Sequence, residues 1–122
     1  MTPATIRVLS WNVNGIRACV RKGFVDWLRR SRPTIVGLQE VRALADECPG
    51  ELRLLRRWHT HFFSAERRGY SGVALFARRP FDEAFTTLDE PRFDVEGRIQ
   101  FARFGRLWIV NQRTIVWASS DH

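Results

Sequence analysis

The sequence predicts an α/β domain, and three observations predict it. An apolar run ends in asparagines at "IRVLSWNVNG", an amphipathic segment follows, and a second apolar run ends in Gln39-Glu40. Ile6, Val8 and Leu9 read as a buried strand because β-branched and apolar residues suit a packed sheet. The run meets Asn12, Asn14 and Gly15, which by themselves read as a turn. In "RACVRKGFVDWLRRSRP", Val20, Phe24 and Leu28 recur every four residues, joined by Trp27, with the charges falling elsewhere. That is the stripe of an amphipathic helix. Pro33 ends it, because the residue before a proline is pushed out of the α region. "TIVGLQE" (34–40) is almost entirely apolar, as a strand buried on both faces requires. Strand, helix, strand makes a βαβ unit, whose crossover sets the two strands parallel.

A second helix is expected from Glu51 to about Trp58, with Leu52, Leu55 and Trp58 on one side. Residues 59–65 and 72–77 read as two short strands. A turn-rich stretch follows residue 82, and strand-like segments return at Arg98–Phe104 and Leu107–Asn111. A chain of 122 residues makes one domain at most. Pro3 and Arg7 interrupt any early apolar run, and nothing approaches the ~18 apolar residues of a membrane span. Cys19 and Cys48 fit no metal-pair spacing and read as reduced thiols, which points to a cytoplasmic protein. The formal charge is +7, so a polyanion is a natural partner. However, Lys22 is the single lysine among 20 basic residues, and an arginine skew of that kind also arises from biased codon usage.

In a βαβ unit the C-terminal ends of both strands lie near each other, where α/β folds place ligands. The first strand ends at Asn12 and the second at Glu40. An amide oxygen and a carboxylate are hard ligands that suit Mg²⁺ or Mn²⁺. Two such groups leave room for waters and a substrate phosphate. His59 and His61 would share one strand face, but without a carboxylate beside them they read as surface residues.

"LSWNVNGIRA", "GLQEVRA", "GYSGVALFARRP" and "DVEGRIQFARFG" resemble, in order and over residues 6–111, successive blocks of the exonuclease III and apurinic/apyrimidinic (AP) endonuclease family. That family belongs to the endonuclease/exonuclease/phosphatase superfamily. The resemblance implies a DNase I-like four-layer α/β sandwich, two sheets flanked by helices, with about the first half present. It implies a Mg²⁺- or Mn²⁺-dependent hydrolase of DNA phosphodiesters acting in DNA repair, on double-stranded DNA with abasic sites. By the same resemblance Asn12 is the catalytic asparagine beside metal and phosphate, and Glu40 is the metal-binding glutamate. Tyr70 and Ser71 match a block beside the DNA groove, and Arg17, Arg67 and Arg68, near these loops, are expected on backbone phosphates. Asp94, Glu96 and Arg98 match a D-x-E-G-R block that supports the site through ion pairs.

The resemblance breaks after "LWIVN". Where the family has N-x-Y-x-P, Gln112 and Arg113 follow Asn111, and no G-D-x-N block supplies the aspartate that handles the proton of the reacting oxygen. Residues 1–111 therefore read as the N-terminal half of the domain and 112–122 as a divergent tail. Ser120, Asp121 and His122 match the family's terminal S-D-H block, brought next to the first half by a deletion of the middle; in that block an aspartate fixes the tautomer of a histidine that contacts the phosphate. An out-of-frame tail ending in the same residues is the alternative. Three functions stay open: an impaired nuclease, a nonenzymatic DNA-binding remnant, and a phosphatase of the same superfamily. With half the sandwich missing, "TIVGLQE" and "GVALFA" are expected to lie uncovered and to drive self-association.

Overall fold

The computed structural model describes residues 5–53, 55–63, 72–86, 99–112 and 116–120. Strand β1 (Val8–Asn12) leads through helices α1 (Ile16–Arg21) and α2 (Phe24–Ser31) to β2 (Ile35–Gln39). A short α3 (Gly50–Arg53) precedes β3 (His59–Phe63), β4 (Val73–Ala77), β5 (Glu83–Phe85), β6 (Ile99–Phe104), β7 (Leu107–Gln112) and β8 (Val116–Ser120). The strands form two four-stranded sheets, ordered β1-β2-β4-β3 and β5-β6-β7-β8.

The parallel pairing expected of β1 and β2 is present, running from Val8 opposite Ile35 to Asn12 opposite Gln39. β4 then adds antiparallel to β2, and β3 to β4. Alternation along β2 and β4 assigns their two faces. Val36, Leu38, Ala74 and Phe76 pack against Ile16, Val20, Phe24 and Leu28 of the helices, while Ile35, Leu75 and Ala77 pack against Ala102, Phe104 and Ile109 of the second sheet. Helices, first sheet and second sheet thus make three stacked layers among the described residues.

Several expectations change: Ile6 is exposed and precedes β1, and β5 lies in the stretch read as turn-rich. The single helix is two, because Gly23 takes φ 106°. That left-handed conformation suits glycine and breaks the helical path. Of the helix expected at 51–58 one turn is present, Gly50–Arg53, and residues 55–58 are not helical. The first sheet is also not uncovered: every residue of β2 and β4 is buried, because β6 and β7 belong to a second sheet that closes over their inner face. Residues 116–120, within the segment set apart as a tail, pair antiparallel with β7 as the edge strand of that sheet. The exposed large apolar residues are instead Ile6, Leu44 and Phe85, and Phe85, on the far side of the second sheet, stacks on Phe101 at 5.0 Å and meets Trp108 edge-on. Among the described residues no helix is long and apolar enough to cross a membrane.

Candidate active site

Asn12 is the last residue of β1 and Glu40 follows the last residue of β2, so the parallel pairing brings both to one end of the first sheet. Backbone bonds join the two segments: Val13 N–H donates to Gln39 O at 3.1 Å, Gly15 N–H to Glu40 O at 2.8 Å, and Ile16 N–H to Val41 O at 2.9 Å. Val41 N–H in turn donates to Gly72 O at 3.0 Å, which ties in the start of β4. The Asn12 amide oxygen accepts the Asn14 N–H at 3.0 Å. This Asx turn fixes the Asn12 side chain at the strand end. Glu40 adopts φ 51° and Arg42 φ 57°. Both are left-handed values outside the usual range of either residue type. The Glu40 carboxylate is 25% exposed, and Arg42 Nη2 lies 3.7 Å from it. Beside this edge Arg17, Arg21 and Arg42, with Asn14 and Gly15, line a concavity of 320 Å³.

Behind Glu40 lies a chain of buried amides that the sequence reading missed. Gln39, Gln100 and Asn111 are 0–1% exposed and face one another across the two sheets. Asn111 Nδ2 donates to Leu38 O, Ala74 O and Gln100 Oε1 at 3.1, 3.0 and 2.7 Å. Gln39 Nε2 donates to Asn111 Oδ1 at 3.0 Å, to Ser10 Oγ at 3.1 Å and to Gly37 O at 3.1 Å. Gln100 Nε2 reaches His61 O at 3.0 Å and His61 Nδ1 at 2.9 Å. With the amide donating, Nδ1 accepts and the ring proton sits on Nε2. Burial pushes the His61 pKa below its ordinary 6.5, because withdrawal from water disfavours the charged ring. His61 is therefore a neutral network member half-withdrawn from solvent, not the surface residue expected of it. The available signal was strand parity: Gln100 and Asn111 fall on the inward register of β6 and β7, alongside Ala102 and Ile109.

Of the residues singled out by sequence, Asn12, Glu40 and Arg17 come together at this edge. Arg67, Arg68, Tyr70, Ser71, Asp94, Glu96, Arg98, Asp121 and His122 lie outside the described residues. No group of three or more His, Cys, Asp or Glu side chains gathers among the described residues. Asn12 and Glu40 bring one amide and one carboxylate to this edge. They fit a hard dication that keeps most of its ligands as water and substrate oxygens, and do not fit a closed protein cage.

The profile of the Endonuclease/Exonuclease/phosphatase family matches residues 9–121. The chain belongs to that family. It is similar to the DNA repair nuclease APEX1 of Danio rerio, at 30% identity over 109 residues, covering 88% of this chain and 35% of that protein. The exodeoxyribonuclease of Bacillus subtilis is 30% identical over 111 residues, with 89% and 42% covered. Among solved structures, an AP endonuclease from Archaeoglobus fulgidus superposes with a TM-score of 0.75 at 23% identity, covering 88% of this chain and 40% of that one. The 3′ phosphatase NExo from Neisseria, bound to a product DNA hairpin, gives 0.74 at 22% identity, with 88% and 41% covered. The endonuclease/exonuclease/phosphatase chain thus shares the fold of the part of these structures that it covers, and it spans less than half the length of the relatives it matches.

Proposed function

We propose that this chain carries the metal-side half of an AP endonuclease or exonuclease III-type DNA hydrolase, with Asn12 and Glu40 as its reacting edge. The observation that carries the proposal is the joining of those two strand ends by backbone bonds, in a family whose named relatives include DNA repair nucleases. Glu40 would hold Mg²⁺ or Mn²⁺, with Asn12 beside it and beside the phosphate. When bound, the dication supplies charge that polarises the phosphate and offsets the negative charge of the transition state. The protein's own contribution is positional. The Asx turn holds the Asn12 side chain at the edge, and the left-handed backbone of Glu40 turns its carboxylate at the strand end. Arg17 and Arg21 offer guanidinium groups to the flanking backbone phosphates.

The substrate proposed is double-stranded DNA with abasic sites, and the activity of this chain is proposed to be impaired. No residue of the described edge replaces an aspartate that would handle the proton of the attacking or leaving oxygen. General acid–base catalysis contributes ~10²–10⁴-fold, so nicking should fall short of full-length relatives by about that factor. A second reading, a DNA-binding remnant without catalysis, is favoured by one observation: the Arg17, Arg21 and Arg42 concavity needs no metal to attract phosphate.

The deciding experiment titrates Mn²⁺ into wild type and Glu40→Gln by calorimetry, and assays abasic-duplex binding and nicking of both. We expect wild type to bind Mn²⁺ and nick slowly, and Glu40→Gln to lose both while retaining salt-sensitive DNA binding. Equal metal affinity in the two proteins would remove Glu40 from the site. DNA binding without metal-dependent nicking in wild type would establish the remnant reading.

A further inference from the structure

The edge of the first sheet opposite Asn12 and Glu40 carries a second arginine cluster. Antiparallel pairing sets Ile35 at the start of β2 opposite Ala77 at the end of β4, and Ala77 opposite His59 at the start of β3. The segments flanking those three positions therefore converge. Arg29 and Arg32 come from the end of α2, Arg56 and Arg57 from the turn before β3, and Arg78 from the residue after β4. All five line one concavity of 360 Å³. Its remaining walls are Leu28, Leu55 and Trp58, so no described acidic residue lines it.

The backbone around the cluster is fixed. Arg78 N–H donates to Thr34 O at 3.0 Å, and Trp58 N–H to Leu55 O at 3.1 Å. Arg32 closes α2 in the left-handed conformation, with φ 50°. The Arg78 guanidinium lies 5.7 Å from the centre of the Trp58 ring. This cation–π contact orients the guanidinium without consuming its N–H donors. Asp26 pairs with Arg30, and Asp82 and Glu83 pair with Arg103; among the described residues none of the five groove arginines shares a carboxylate. Five guanidinium groups around one hollow repel one another until an anion enters.

We propose that this groove binds a compact oligophosphate, either a free phosphate chain or the phosphate tail of a nucleotide. The geometry favours a compact ligand over a nucleic-acid strand, because the cations converge on one hollow instead of following a track. The groove is also distinct from the proposed nuclease edge. The four strand steps from Ile35 to Gln39, at about 3.3 Å each, separate the two ends of the sheet.

The test titrates sodium tripolyphosphate and ATP into the full chain at low ionic strength by calorimetry. Variants are the groove pair Arg56→Ser/Arg57→Ser, the charge-keeping pair Arg56→Lys/Arg57→Lys, and a control pair on the second sheet, Arg103→Ser/Arg106→Ser. Circular dichroism checks that each remains folded. The groove serine pair should weaken tripolyphosphate about tenfold or more, equivalent to ~1.4 kcal/mol, while the lysine and control pairs stay within about threefold. ATP matching tripolyphosphate supports the phosphate chain as the recognised part, and tighter ATP binding supports a nucleotide, with the base on Leu55 and Trp58. Absence of tripolyphosphate binding, or equal losses from the groove and control serine pairs, overturns the proposal. A single-stranded oligothymidylate that occupies the groove and resists displacement by tripolyphosphate overturns it as well.

Discussion

Replacing Asn111 tests whether the buried amides hold the two sheets together. Its side chain is fully buried, its two amide hydrogens are shared among three acceptors, and its oxygen accepts one bond. In Asn111→Ala, Gln100 Oε1 loses the one donor it has among the described residues. Leu38 O, Ala74 O and Gln39 Nε2 each lose one partner and retain others. An orphaned buried acceptor costs about 1–3 kcal/mol, and the remaining lost bonds add about 1 kcal/mol, so the total is about 3 kcal/mol. Against a domain stability of ~5–15 kcal/mol that is a large fraction. At ~4 °C per kcal/mol for a chain of this size, the Tm should fall by about 12 °C.

Asn111→Asp separates hydrogen bonding from packing. It keeps the shape of the side chain but turns both terminal atoms into acceptors, facing Leu38 O, Ala74 O and Gln100 Oε1. At pH 7 it should destabilise at least as much as alanine, because the buried charge loses three acceptors' worth of complementary contacts and must be desolvated. Burial would raise the carboxyl pKa of the new aspartate in the folded state, so the folded protein would bind more protons than the unfolded one. The deficit relative to wild type should then shrink as pH falls, when the acid regains an O–H donor. Urea and thermal unfolding followed by circular dichroism read both variants. A neutral-pH Tm for Asn111→Asp within about 2 °C of wild type would refute the network and reduce Asn111 to a space-filling residue.

His61 supplies a pH dependence of opposite sign. Its folded pKa lies below 6.5. Its contribution is therefore complete above that value and is lost as pH falls through the folded pKa, when Nδ1 gains a proton and can no longer accept from Gln100. An NMR titration should place the His61 midpoint below 6.5, and a midpoint at or above that value would contradict the buried-acceptor assignment. Gly72 takes φ 99°, and an added Cβ would meet Arg42 N at 3.5 Å and Val41 Cβ at 3.6 Å, ordinary contacts, so the cost of Gly72→Ala is backbone strain. Urea unfolding should show a loss of about 1–3 kcal/mol, and an unchanged midpoint would mean that the turn relaxes.

The parts of the fold that could be read from sequence were those where one periodicity governs one element. β1, β2 and their parallel pairing followed from two apolar runs and the stripe between them. The break at Gly23 did not, because Phe24 and Leu28 keep the stripe's spacing on both sides of a backbone reversal. The second sheet was half visible: β6 and β7 read as strands, but the covering of β2 and β4 depends on how two sheets stack, which no single strand encodes. Polar residues mislead in the same way. Gln100 and Asn111 look like solvent-facing positions until the opposite sheet supplies Gln39 and His61 as partners. The arginine groove draws on three turns separated in sequence and joined by strand pairing alone.

Backbone strain adds an argument for the candidate edge that residue types could not provide. Asn14, Arg32, Glu40 and Arg42 are the described non-glycine residues with left-handed φ. Arg32 ends a helix, where that conformation is common. The other three flank the segment that carries Asn12 and Glu40. Asparagine visits the left-handed region readily, but each of the other two costs roughly 1–2 kcal/mol. The surroundings enforce it: Val41, between the two strained residues, is buried and is held on one side by Ile16 N–H and on the other by Gly72 O. A relaxed extended backbone at residue 40 would continue β2 and carry the carboxylate past the end of β1. The left-handed backbone at Glu40 follows the end of β2 at Gln39, which pairs with Asn12, and so sets where the proposed metal-binding carboxylate leaves the sheet.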